Sequence, residues 1–182
     1  MTEKKLSGAG LRGQSAGETA LCTVGKTGAG LTYRGYGIET LAEKAQFEEV
    51  AYLLLYGSLP TQDELDKYKA RLKGMRGLPP ELKSVLELIP KAAHPMDVMR
   101  TGCSMLGNLE TETKFSQQSD RIDRMLAIFP SIITYWYRYS HDGVRIDTDT
   151  EDDSIGGHFL NCLLGEKPSE LHEQVMNVSL IL

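Results

Sequence analysis

The chain has no run of about 18 apolar residues, the length a helix needs to cross a hydrocarbon core, so no membrane span is expected. Met1 to Gly13 holds Lys4 and Lys5 but no apolar stretch, which excludes a secretory signal there. Positive charge is not in excess either. The net charge is −5, and non-specific nucleic-acid binding needs clustered Lys and Arg to displace counterions. Cysteine is sparse: Cys22, Cys103 and Cys162 are three in number and far apart. That count excludes a disulfide framework and points to reduced thiols in the cytoplasm. No Gly-x-Ser-x-Gly elbow supplies a hydrolase nucleophile. The four histidines, His94, His141, His158 and His172, lack metal-ligand spacing, and no acid–base partner can be placed for any of them.

What remains is ordinary globular composition. With 182 residues, 41% hydrophobic and 25% charged, the chain is long enough to bury roughly 70% of its unfolded surface. Residues 1–17, rich in Gly, Ser and Lys, read as a flexible arm, and residues 18–182 as one body. Thr19 to Val24 and Leu31 to Tyr36 are strand-like runs around the turn-rich Gly25–Gly30, which predicts a β-hairpin. From residue 40 onward the apolar period is helical, so the fold class is all-α, multihelical, with a small N-terminal β-hairpin.

The helix boundaries follow from caps and breakers. Thr40 with Glu43 and Thr61 with Glu64 fit capping boxes. Phe47 to Tyr56 is closed by Gly57, and the row Leu65, Tyr68, Leu72, Met75 ends at Gly77 and Pro79. Leu82, Val85, Leu86 and Ile89 stop at Pro90, and Pro95 suits a first helical turn. Met96, Met99, Cys103 and Leu106 are expected to line one face of that fifth helix. Ser119 to Tyr139 is the longest periodic stretch, with Pro130 as a kink or break inside it. Asp153 or Ser154 caps a helix ending at Gly165, and Ser169 opens the last one. There Leu171, Val175, Val178 and Leu182 keep an amphipathic row to the final residue, so the chain is expected to be cut within a longer protein.

Several letter patterns imitate binding motifs without their context. Gly8 to Gly13 matches a dinucleotide fingerprint, but no strand precedes it and no βαβ unit follows. Gly25-Lys26-Thr27 resembles the end of a phosphate loop, yet the earlier glycine position holds Ala20. Asp147, Asp149, Glu151 and Asp152 suggest a calcium loop, but its sixth position holds Asp152 where the sharp turn needs glycine. Lys67, Lys69, Arg71, Lys73 and Arg76 make a basic stretch that reads first as a solvated face. Arg71, beside the apolar Leu72, is the member expected to contact a carboxylate or phosphate of a substrate. Gly102, Ser104 and Gly107 would permit close helix approach, as at a dimer face.

Taken together, a set of segments resembles the N-terminal half of the citrate synthase family. They are Tyr33-Arg34-Gly35-Tyr36-Gly37-Ile38, Phe47 to Ala51 running to Gly57-Ser58-Leu59-Pro60, His94-Pro95-Met96-Asp97 with Arg100-Thr101-Gly102, Asp153 to Phe159, and Gly165-Glu166-Lys167-Pro168. Ala20 to Lys26 and Asp152 to Phe159 are most similar to its 2-methylcitrate-forming branch. The resemblance implies a multihelical large-domain portion and a homodimer with clefts between large and small domains. It implies condensation of propionyl-CoA with oxaloacetate and water to 2-methylcitrate and CoA. The coenzyme A thioester is then a substrate, and no cofactor or metal is expected. In that chemistry a carboxylate removes the α-proton, one histidine stabilises the enol, another polarises the keto acid, and arginines hold its carboxylates. Those histidines and the aspartate are expected beyond Leu182, so no catalytic residue is assigned here and the 182 residues are expected to be inactive alone. Two other readings stay open: a citrate synthase using acetyl-CoA, and a self-contained helical interaction module without catalysis.

Overall fold

A computed structural model describes residues 17–25 and 30–182. Residues 1–16 of the expected arm, with the Gly8–Gly13 pattern, and Lys26–Ala29 of the hairpin tip lie outside the described residues.

Three short strands, β1 (Cys22–Val24), β2 (Leu31–Tyr33) and β3 (Tyr36–Gly37), pair antiparallel in that order. The expected two-stranded hairpin gains a third strand because Leu31 to Tyr36 is interrupted. Arg34 and Gly35 adopt φ of 48° and 92°. A two-residue loop with both residues left-handed matches the right-handed twist of the strands it joins. Arg34 is held in this conformation by its side chain, whose Nη2 donates to the Leu54 carbonyl at 3.0 Å.

Eight helices follow among the described residues: α1 (Ile38–Lys44), α2 (Phe47–Tyr56), α3 (Gln62–Lys73), α4 (Pro80–Leu88), α5 (Pro95–Leu109), α6 (Gln118–Tyr137), α7 (Ile155–Leu164) and α8 (Glu170–Ile181). Thr61 and Glu64 form their box, with the Thr61 N–H donating to Glu64 Oε2 at 2.8 Å. The box expected at Thr40 and Glu43 does not form. β3 runs straight into α1, so Gly37 becomes the cap and Thr40 lies inside the helix. α3 stops at Lys73 rather than near Gly77. The segment beyond it is held by Arg124, which donates to the carbonyls of Met75 and Gly77. Pro130 sits inside α6 without breaking it, and Thr134 Oγ1 donates to its carbonyl at 2.7 Å.

The largest core cluster joins Leu82 and Leu86 of α4, Val98 and Leu106 of α5, and Ile128, Ile132 and Trp136 of α6. A second one gathers Ile38, Leu41, Val50, Leu53 and Ile181, and a third Ala51, Tyr68, Leu72, Ala127 and Ile155. α5 is rotated from the expected face: Leu106 is buried and Met99 packs against the core as expected, but the centre of the contact lies elsewhere. Val98, Gly102 and Leu106 are buried, while Met96 is 70% exposed. The reason is Gly102: a Cβ there would stand 2.6 Å from Ile132 Cγ2, so only glycine admits α6 this closely. Gly107 meets nothing within 4 Å. The apolar row expected on α8 also faces outward, with Leu171, Val175 and Leu182 at 67%, 58% and 70% exposure. α8 is attached instead through Ile181 and Asn177, whose Oδ1 accepts from Phe47 N–H at 2.7 Å and whose Nδ2 donates to the Ala45 carbonyl at 3.1 Å.

α7 meets α6 through His158, which is fully buried. Its Nε2 lies 2.9 Å from Ser131 Oγ and its Nδ1 3.0 Å from Thr150 Oγ1. Burial, with Arg76 nearby, depresses its pKa from 6.5 to about 4. Asp152 works weakly in the other direction.

Two predictions follow from this packing. Gly102→Ala should destabilise the chain by about 1–3 kcal/mol in urea melts, overriding its better helix propensity, while Gly107→Ala should be neutral or stabilise by up to ~1 kcal/mol. Equal effects at the two sites would contradict the assigned packing. Because the folded pKa of His158 lies below its unfolded value, the unfolded chain takes up the proton first. The stability held by neutral His158 is complete above pH 6.5 and is lost as pH falls to about 4. That loss amounts to roughly 3 kcal/mol. Unfolding free energies measured across this range should fall less steeply in His158→Gln, and identical slopes would refute the assignment.

Candidate functional site

Arg71, the expected anion contact, leaves α3 on the edge of a cleft of about 400 Å³. Tyr52, Tyr56, Tyr68, Glu64 and Asp120 also line it. The three tyrosines pack on one another with ring centroids 4.5 to 6.0 Å apart. Beneath them lies Asp123 of α6, fully buried. Its Oδ1 accepts from Tyr68 Oη at 3.0 Å, and its Oδ2 accepts from Tyr56 Oη at 3.1 Å and from Arg71 Nε at 2.9 Å. Arg71 Nη2 donates to Asp120 Oδ1 at 2.6 Å.

The electrostatics agree with this arrangement. Hydrogen bonds to Asp120 and then Asp123 raise the Arg71 pKa further, so the cation is permanent. Burial, followed by the charge of Asp123, pushes the phenols of Tyr68 and Tyr56 above their ordinary range. They stay protonated and act as donors. The cleft thus has a fixed cation with two nitrogens already committed to carboxylates, beside neutral aromatic hydroxyls.

The rest of the basic stretch is dispersed. Lys67 pairs with Asp63 at 2.6 Å, Lys69 donates to Gln46 at 3.0 Å, and Lys73 pairs with Glu151 at 2.9 Å. Arg76 turns inward and is 1% exposed. It donates through Nη1 to the Asp152 carbonyl at 2.5 Å and through Nη2 to the Ser154 carbonyl at 3.1 Å. Across the same turn Glu48 of α2, also 1% exposed, accepts from the Ile155 N–H at 2.7 Å. Residues in the acidic loop are engaged locally: Asp147 Oδ1 accepts from the Asp149 N–H at 3.0 Å and Asp152 Oδ2 from Asn161 Nδ2 at 2.8 Å.

The histidines do not meet Arg71. The Met96 N–H donates to His94 Nδ1 at 3.1 Å at the start of α5, His141 stacks on Tyr137 at 4.3 Å, and His172 is exposed on α8. A second depression of about 370 Å³ is walled by apolar side chains, including Phe47, Met99, Phe129, Ile133, Phe159 and Leu180. Sequence reasoning missed Asp123 and Glu48. A signal was there for Asp123, an acidic residue four positions before Ala127 on the apolar side of α6.

A family model described as citrate synthase, C-terminal domain, matches residues 10–182. The 2-methylcitrate synthase of Shewanella oneidensis is 72% identical over 98% of this chain and 48% of its own length. The citrate synthase of Heyndrickxia coagulans is 32% identical over 95% of this chain and 47% of its own. Among solved structures, the citrate synthase of Thermoplasma acidophilum in complex with carboxymethyl coenzyme A and oxaloacetate superposes with a TM-score of 0.86 at 27% identity. That match covers 94% of this chain and 45% of the other. The chain therefore spans about half the length of the relatives it matches. With the sequence match extending over nearly all of it and the helices in the same arrangement, the chain belongs to the citrate synthase family.

Proposed function

We propose that these residues form part of a 2-methylcitrate synthase, a cytoplasmic homodimer that condenses propionyl-CoA with oxaloacetate and water to give 2-methylcitrate and CoA. The observation that carries this reading is the 72% identity to a 2-methylcitrate synthase over 98% of the chain. The citrate synthase of Heyndrickxia coagulans stands at 32%. The chemistry is a carbon–carbon bond formation through an enolate, with CoA as leaving group and no cofactor. Its cost lies in developing negative charge on the thioester oxygen, which donors placed in advance must stabilise.

Within this reading the described residues supply framework. The buried charges Asp123, Glu48 and Arg76 join α2, α3, α6 and the start of α7. The α-proton acceptor and the enol-stabilising groups are assigned to residues outside this chain, so the 182 residues alone are proposed to be inactive. Arg71 enters as a peripheral substrate contact. Its Nε and Nη2 are held by Asp123 and Asp120, so a substrate anion would have to use the remaining nitrogen against two carboxylates.

Thiol release, followed with propionyl-CoA or acetyl-CoA plus oxaloacetate, tests the reading in the full product of the encoding gene. A higher kcat/KM for propionyl-CoA is expected. Preference for acetyl-CoA would move the protein to the citrate-forming branch, and a folded protein inactive with both would overturn the proposal. In the same protein Arg71→Ala should cost about 3 kcal/mol of stability by leaving the buried Asp123 without its cation. A several-fold rise in KM at unchanged kcat would support the substrate contact. An unchanged KM would confine Arg71 to structure.

A further inference from the structure

The turn that opens α7 sits between two buried charges of opposite sign. Arg76 Nη2 donates to the carbonyl of Ser154, and the N–H of Ile155 donates to Glu48 Oε1. That carbonyl and that N–H are the two ends of one peptide group. Its oxygen, the negative end of the dipole, meets the guanidinium, and its hydrogen, the positive end, meets the carboxylate. The remaining atoms, Glu48 Oε2 and Arg76 Nε, have no hydrogen-bond partner among the described residues. The charges therefore meet through the backbone between them.

We propose that Glu48 and Arg76 act as one ion pair bridged by the Ser154–Ile155 peptide, and that this pair latches the start of α7 to α2 and to the segment after α3. A single buried charge without its opposite is strongly unfavourable. Each residue helps the other to be tolerated, with Asp152 adding a further negative charge beside Arg76, and the peptide between them is fixed in direction, since reversing it would set like against like at both ends. Three features tie the same turn to its neighbours. Ile155 packs among Ala51, Tyr68, Leu72 and Ala127. Ser154 Oγ accepts from the Gly157 N–H at 2.9 Å and donates to Glu173 of α8. Arg76 also binds the Asp152 carbonyl, so the fork spans the turn. The latch makes the attachment of α7 conditional on the docking of α2 and of the residues following α3, elements more than 75 positions earlier in the chain.

The test is native-state amide exchange in the full product of the encoding gene, read by mass spectrometry with residue-level fragmentation, for Glu48→Gln, Arg76→Met and the double variant. Glu48→Gln keeps the size and an acceptor for Ile155 but removes the charge. Each single change should speed exchange at the Ile155 amide by about tenfold or more, with amides of α5 unaffected. The double variant should exchange at least about tenfold more slowly than the product of the two single effects predicts, as coupled residues do. Effects that simply multiply would overturn the proposal. Should Arg76→Met fail to fold, Glu48→Gln alone decides: Ile155 exchange within about twofold of the unchanged chain overturns the latch, and faster exchange confined to the start of α7 supports it.

Discussion

Helix α6 carries polar groups on its inward faces that cannot be left to water. It packs against α3, α4, α5 and α7, and Asp123, Ser131 and Thr134 along it are all fully buried. An unpaired polar group in such a place costs about 1–3 kcal/mol. Each finds a partner on a particular element: Asp123 on α2 and α3 through Tyr56, Tyr68 and Arg71, Ser131 on α7 through His158, and Thr134 on its own preceding turn. Apolar packing alone would leave the rotation of α6 loosely determined. Two directional contacts to other helices, at Asp123 and at Ser131, fix it, and with it the positions of α3 and α7.

Much of this architecture is legible in the residues. Local chemistry decides the box at Thr61, the stop at Gly57, the proline start of α5 and the serine caps of α7 and α8, so those boundaries are readable. The errors occur where a distant group intervenes. α3 stops at Lys73, and the segment beyond it is held through the carbonyls of Met75 and Gly77 by Arg124, about fifty positions later. α5 faces inward through Gly102 because Ile132 occupies the space of a side chain, which a periodicity count on α5 cannot register. On α8 the apolar row was visible, but which face α1 and α2 would accept depends on Asn177, a polar residue that such a count treats as outward.

The candidate site shows the same division. Arg71 was singled out for lying beside the apolar face, and that position is what lets it reach the buried Asp123. What no sequence pattern revealed is that its charge is already answered. The segments that carry the family resemblance coincide with the most constrained backbone: Tyr33 to Ile38 contains the left-handed turn at Arg34 and Gly35, Phe47 to Ala51 contains Glu48, and Asp153 to Phe159 contains the peptide between the two buried charges. Resemblance there tracks backbone geometry as much as chemistry.

The contact between α6 and α7 has a further property. His158 lies between two hydroxyls, and a hydroxyl can give or take a hydrogen bond. With the proton on Nε2 the ring donates to Ser131 and accepts from Thr150; with the proton on Nδ1 the roles reverse. No heavy atom has to move between the two arrangements. Either tautomer therefore satisfies the contact, and the helix pair is joined without fixing which ring nitrogen carries the proton.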